Sequence, residues 1–102
     1  MRHTDYIQVG SPVVVRSYVS GVFAGRLMGG EGGSVAIYDW RWLRRWSGVG
    51  GQGSVYDLIR SGKRPDQRGP FTPEVTVLQQ ADVCSVSEAC YDALTGGETG
   101  GE

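Results

Sequence analysis

Glycine sets the outer limits on what this chain can fold into. Seventeen of its 102 residues are glycine, gathered in Gly29-Gly30, Gly32-Gly33, the stretch from Gly48 to Gly53 and the C-terminal tail. Glycine gives up more backbone freedom on folding than any other residue and belongs in turns rather than in element interiors. The segments between these clusters must therefore be short elements joined by many turns. The length fits one domain, residues 1–95, large enough to bury a modest core without a disulfide or a metal, followed by a polar tail at 96–102. A hydrophobic content of 39% with 21% charged residues fits a soluble globular domain rather than a disordered one.

Between the glycines the pattern favours strands. PVVVRSY at 12–18 is rich in β-branched residues and reads as a strand opened by Pro12, and VFAGRLM at 22–28 reads as its hairpin partner across Ser20-Gly21. Phe23, Gly25 and Leu27 then share one face, while Ala24, Arg26 and Met28 share the other. Gly25 inside a strand points to a bulge or a close backbone approach. GGEGG at 29–33 reads as a loop, and SVAIYD resumes as a third strand. EVTVLQQADVC at 74–84 reads as one long strand with Val75, Val77, Ala81 and Val83 on a buried face. The intervening 63–73, with three prolines, reads as a surface loop.

Two helices are expected. Ser54 with Asp57 three residues on, an apolar stripe of Val55, Leu58 and Ile59, and Gly62 beyond the end predict a helix over 54–61. Ser85 with Glu88 repeats the pattern and predicts a second over about 86–94. The expected class is α+β, an antiparallel sheet of four to five strands with two short helices, with a barrel-like closure of the sheet as the alternative.

The segment YDWRWLRRW at 38–46 holds all three tryptophans and three arginines. Both helical and extended templates fit it, and aromatic enrichment after a strand favours the extended one. If the strand runs on, Tyr38, Trp40, Trp42, Arg44 and Trp46 share one face, and Asp39, Arg41, Leu43 and Arg45 share the other. The plainest reading of the rings is core, with Arg41 and Arg45 solvating the outer face. The alternative is recognition: indole offers a flat face, and guanidinium adds stacking and paired hydrogen bonds to carboxylate or phosphate. Arg44, flanked by Trp42 and Trp46, must be paired or reach water, which leaves that face half covered.

Charge is unevenly spread although the net value is only -1. Residues 38–68 carry Arg41, Arg44, Arg45, Arg60, Lys63, Arg64 and Arg68 against Asp39, Asp57 and Asp66, whereas Glu74, Asp82, Glu88, Asp92, Glu98 and Glu102 follow with no base. Nine of the ten basic residues are arginine, which favours planar, bidentate contacts. The candidate binding surface is accordingly Trp40, Arg41, Trp42, Arg44, Arg45 and Trp46, joined by Arg60, Lys63, Arg64 and Arg68. A protein partner or self-assembly is the first expectation, and a small anionic or nucleotide ligand the second. Specific reading of duplex DNA is not expected, because no helix carries a long basic face.

Other chemistry has little to stand on. His3 is the only histidine, so no serine or cysteine nucleophile has an evident base, and the chain is not expected to be an enzyme. GVGGQGS at 48–54 lacks the Gly-Lys-Ser/Thr of a phosphate-binding loop and reads as a connection. Cys84 and Cys90 with one distant histidine make no zinc ligand set, so neither metal nor cofactor is expected, and the two thiols read as small apolar groups. Met1-Arg2-His3-Thr4-Asp5 opens no signal peptide and no apolar run reaches the length of a membrane span, so the expected compartment is cytoplasmic.

A likeness adds a setting. Arg16-Ser17-Tyr18-Val19-Ser20-Gly21-Val22 followed by Gly25-Arg26-Leu27 resembles the opening of a family of small proteins encoded by bacteriophages and prophages, in which Arg-Thr-Tyr-Ser-Ala-Gly-Val precedes Gly-x-Leu. Trp42 to Trp46, the segment Ser54 to Gly62, Phe71 and the valine-rich run from Glu74 to Cys84 extend the resemblance over about 12–94. It implies a viral origin and a compact accessory protein, placed in a host cytoplasm or, as the alternative, in a virion, and assigns no residue a role. The resulting expectation is a small non-enzymatic binding module, with a capsid decoration or assembly component, or a counter-defence protein that sequesters a nucleotide or blocks a host enzyme, as alternatives.

Overall fold

The computed structural model describes residues 7–44, 59 and 67–96. Three long strands build the sheet: β1 (Pro12–Ser17), β2 (Gly21–Glu31) and β3 (Ser34–Arg44), each antiparallel to the one before. Two short strands, β4 (Gln67–Arg68) and β5 (Thr76–Leu78), both pair with β3, and β6 (Ala81–Ser85) pairs with the far side of β1. One helix, α1 (Glu88–Thr95), closes the described chain. The main path runs β4-β3-β2-β1-β6, with β5 beside β4 on β3. Its two ends do not pair, so the sheet is open and the barrel-like closure does not form.

The β2–β3 hairpin is longer than its sequence suggests. Gly29, Gly30 and Glu31 continue the strand, and only Gly32-Gly33 turn, with Gly32 at a φ of +60°. Two irregularities bend this hairpin. Ala24 faces Arg41 but Arg26 faces Tyr38, so Asp39 and Trp40 stand opposite Gly25 alone, with Asp39 at a φ of +49°. A second shift between Leu27 and Gly29 sets Met28 out of register. Bulges of this kind kink a strand and tighten its twist. The hairpin tip thereby curls back: Ala81, paired with Ser17 at the far end of β1, donates its N–H to Gly33 O at 2.9 Å.

Gly25 is the residue that allows the bend. A Cβ there would stand 2.8 Å from Trp40 Cβ and 3.2 Å from Ile37 Cδ1, too close for any side chain. Inside the curl lies the main core of Val13, Val15, Phe23, Leu27, Val35, Ile37, Leu78 and Ala81. Trp40 and Trp42 pack against its rim. On the outer face Val14, Ala24 and Leu43 meet Leu94 of α1.

Helix α1 starts later than the Ser85–Glu88 pattern predicts. Val86 still donates to Pro12 O, and Ser87 becomes the N-cap, its hydroxyl accepting from Cys90 N at 3.0 Å. Gly96 ends it at a φ of +74°, donating to Asp92 O. The single long strand expected over 74–84 is interrupted: Gln80 takes a φ of +49°, and the chain crosses from the edge of β3 to the edge of β1. The break shifts the facing pattern, so Leu78 is buried, whereas Val75 and Val77 are 51% and 55% exposed. Ala81 and Val83 do face the core as expected. Of the helix expected over 54–61 only Ile59 lies within the described residues, and there it is helical and packs on the outer cluster. The 96–102 tail lies outside them beyond Gly96.

Candidate binding edge on strand β3

Trp40 and Trp42 lie in extended structure, since β3 continues through Arg44. The bulge at Asp39 changes which side chains share a face. Val35 and Ile37 point into the curl and so, one residue further on than strict alternation allows, do Trp40 and Trp42. Tyr38, opposite Arg26, is left on the other side, so it does not join the tryptophans as an unbroken strand would have it.

The two rings have different duties. Trp40 is locked: its ring meets Phe23 edge-on at 5.4 Å, its Nε1 donates to Glu74 O at 2.9 Å, and its backbone exchanges two hydrogen bonds with Thr72. Trp42 is half-buried between two glycines. A Cβ at Gly21, where φ is +113°, would come within 3.2 Å of Trp42 Nε1, and one at Gly69 within 3.2 Å of Trp42 Cβ. Among the described residues Trp42 Nε1 donates to no acceptor, and the polar contact made by this side chain is with Arg44. The Arg44 guanidinium lies 5.3 Å from the Trp42 ring centroid, is exposed, and has no carboxylate partner among the described residues.

The other arginines are placed elsewhere. Arg41 is 2% exposed, a core residue donating NH1 to Gly69 O at 2.9 Å, so it neither solvates an outer face nor presents itself to a partner. Arg68 pairs with Leu43 and reaches under Gly96 to donate to Leu94 O at 3.4 Å. A cation there meets the last carbonyls of a helix, where the dipole favours it. The structure therefore brings together Trp40, Trp42 and Arg44 on one side of β3 and puts Arg41 and Arg68 to structural use. Arg45, Trp46, Arg60, Lys63 and Arg64 lie outside the described residues.

Two arginines outside that set turn out to organise the fold. Arg26 grips Glu88 with NH1 and NH2 at 3.0 and 2.8 Å, lies 4.6 Å from the Tyr91 ring centroid and donates to Gly10 O. This pair holds the Glu88 carboxyl below its usual range, and burial pushes the Tyr91 phenol up to about 12, against the opposing pull of Arg26. Tyr91 also donates to Asp39 O at 2.6 Å, which pins α1 to the bulge. Arg16 and Tyr18 meet Asp82 in an exposed triad, Tyr18 donating to Asp82 Oδ2 at 2.9 Å. The i, i+2 spacing of Arg16 and Tyr18 on a strand was the available sign of that cluster, but nothing local pairs Arg26 with a helix 62 residues away.

No group of three or more histidine, cysteine or carboxylate side chains able to hold a metal occurs among the described residues, and no helix there is long and apolar enough to cross a membrane. What the geometry defines is a small α+β domain, an open and curled antiparallel sheet with helix α1 on its outer face and an arginine-capped tryptophan on its rim. The chain belongs to the family described as Domain of unknown function (DUF6948), whose model matches residues 10–94. That span takes in all six strands and α1 up to Leu94. No curated protein and no solved structure matches the chain.

Proposed function

We propose that this protein is a non-enzymatic binding module, a bacteriophage accessory protein acting in the infected cell, and that it docks an acidic protein surface through Trp42 and Arg44. The observation that carries the reading is the state of those two side chains. An exposed cation stacked on a ring at the surface is held by only about 0.5–1 kcal/mol, so Arg44 can exchange that contact for a better partner. Beside it stands an indole N–H with no acceptor among the described residues. Two donors next to a flat apolar face suit a carboxylate carried on an otherwise apolar surface, and tryptophan and arginine are the residues most often dominant at interfaces. The phage setting is supported by the likeness of Arg16 to Leu27 to the opening of phage-encoded proteins.

Calorimetric titration with a glutamate-rich peptide tests the reading, with a mononucleotide as the contrasting probe. The peptide is expected to bind, and Arg44→Ala to weaken it about tenfold, equivalent to about 1.4 kcal/mol, with the unfolding midpoint unchanged. Equal affinity of the variant and the natural chain would remove the edge from consideration, and tight binding of the nucleotide alone would replace the acidic partner with a nucleotide ligand.

A further inference from the structure

Cys84 and Cys90 are separated by the corner between β6 and α1, and neither has a role in the edge described above. Cys84 stands directly opposite Val14 in the β1–β6 register, which puts it on the outer, helix-covered face. Cys90 is in the first turn of α1 and packs against the cluster that contains the same Val14. The chain between them makes one tight corner, with Val86 bonded to Pro12 O and Ser87 capping the helix, so the two thiols come from two elements to the same outer face, near enough for Cys84 to act electrostatically on Cys90. Each is half-buried rather than sealed, and each donates only to a backbone carbonyl at long range, Cys84 to Ser85 O at 3.6 Å and Cys90 to Ile59 O at 3.7 Å. Sulfur is a weak donor, so little is lost when those contacts break.

We propose that Cys84 and Cys90 are a modification site, a dithiol that the native fold allows to close reversibly into a disulfide on reaction with a small-molecule disulfide. The exchange runs in two displacements. One cysteine thiolate attacks a sulfur of the reagent, forming a protein–reagent mixed disulfide and expelling one reagent thiolate; the second cysteine thiolate then attacks the protein sulfur, forming the Cys84–Cys90 bond and expelling the other. Two protons and two electrons pass from the protein to the reagent, which leaves as two thiols. Burial raises the Cys90 thiol above its ordinary value and the nearby Cys84 raises it further, so the exchange accelerates as pH rises. The product would tie the helix-covered end of β6 to α1.

Incubation of the full chain with oxidised glutathione, followed by alkylation and peptide mass mapping, reads the outcome. The expected product has lost two hydrogens, contains a Cys84–Cys90 link, unfolds at a midpoint no lower than the reduced chain and reverts with dithiothreitol. Cys90→Ser is expected to stop at a glutathione adduct on Cys84. Stable glutathione adducts on the natural chain, links between two chains, unreacted thiols or a lowered unfolding midpoint would each overturn the proposal, and mapping of the natural chain decides it even if a variant fails to fold.

Discussion

Arg26 and Arg44 sit over aromatic rings in much the same way, yet one is spent and the other is not. Arg26 lies 4.6 Å from the Tyr91 ring centroid and also holds both oxygens of Glu88 and the carbonyl of Gly10. Arg44 lies 5.3 Å from the Trp42 ring centroid and holds nothing else among the described residues. The same contrast separates Trp40, whose N–H is given to Glu74 O, from Trp42, whose N–H has no acceptor among the described residues. A side chain with its hydrogen-bonding capacity filled is holding the fold together. One that keeps it open among the described residues, at a place the fold has shaped with two glycines, is what the proposed docking edge rests on.

The comparison can be broken from the structural side first. Gly25→Val puts a branched side chain where even a Cβ is 2.8 Å from Trp40 Cβ, and is expected to destabilise the domain by about 1–3 kcal/mol in chemical denaturation. A variant as stable as the natural chain would mean that the hairpin does not bend at this point. Arg26→Ala removes the grip on α1 and is expected to cost about 1 kcal/mol, small because the ion pair is partly in water. Its signature is in the pH dependence. Glu88 has its folded value depressed by Arg26, so its contribution is present above the ordinary glutamate range of about 4.3 and is lost as pH falls through and below that range. The acid limb of the stability curve should flatten in Arg26→Ala and stay steep in Arg44→Ala.

Tyr91 supplies the opposite limb. Its folded value is raised to about 12 by burial, so the folded chain keeps its proton where the unfolded chain loses it. The contribution is full below about pH 10 and declines as pH rises from there towards about 12. Phenolate absorbance during alkaline titration should show one tyrosine ionising late and together with unfolding. The smallest stability effect belongs to Arg44→Ala, expected within about 0.5 kcal/mol of the natural chain, as for a surface residue with no buried partner. A loss comparable to that of Arg26→Ala would erase the distinction between the two arginines.

How much of this could be read from the residues alone follows from how local each feature is. β1 and the first half of β2 were legible because β-branched runs and turn residues act over a few positions, and Gly25 was legible as a place where something approaches closely. The end of β2 was not: Gly29 and Gly30 read as loop, but pairing with Ala36 and Val35 keeps them in the strand. The split of 74–84 was hidden because a left-handed glutamine at position 80 has no sequence signature, and its effect was to exchange Val77 for Leu78 on the buried side. Within the site, the grouping of Trp42 with Arg44 followed from strand alternation. The exile of Tyr38 and the burial of Arg41 did not, since both depend on the bulge at Asp39 and on the passage of Gly69 beside β3.

The difference between the two tryptophans is directly observable through their indole N–H resonances. In a nitrogen–proton correlation spectrum of the labelled chain, titration with a glutamate-rich peptide is expected to move the Trp42 indole signal and leave that of Trp40 in place, and Arg44→Ala is expected to abolish the movement. A Trp42 signal that stays fixed, or that moves equally in Arg44→Ala, would contradict the assignment of this edge as the place where the protein meets its partner.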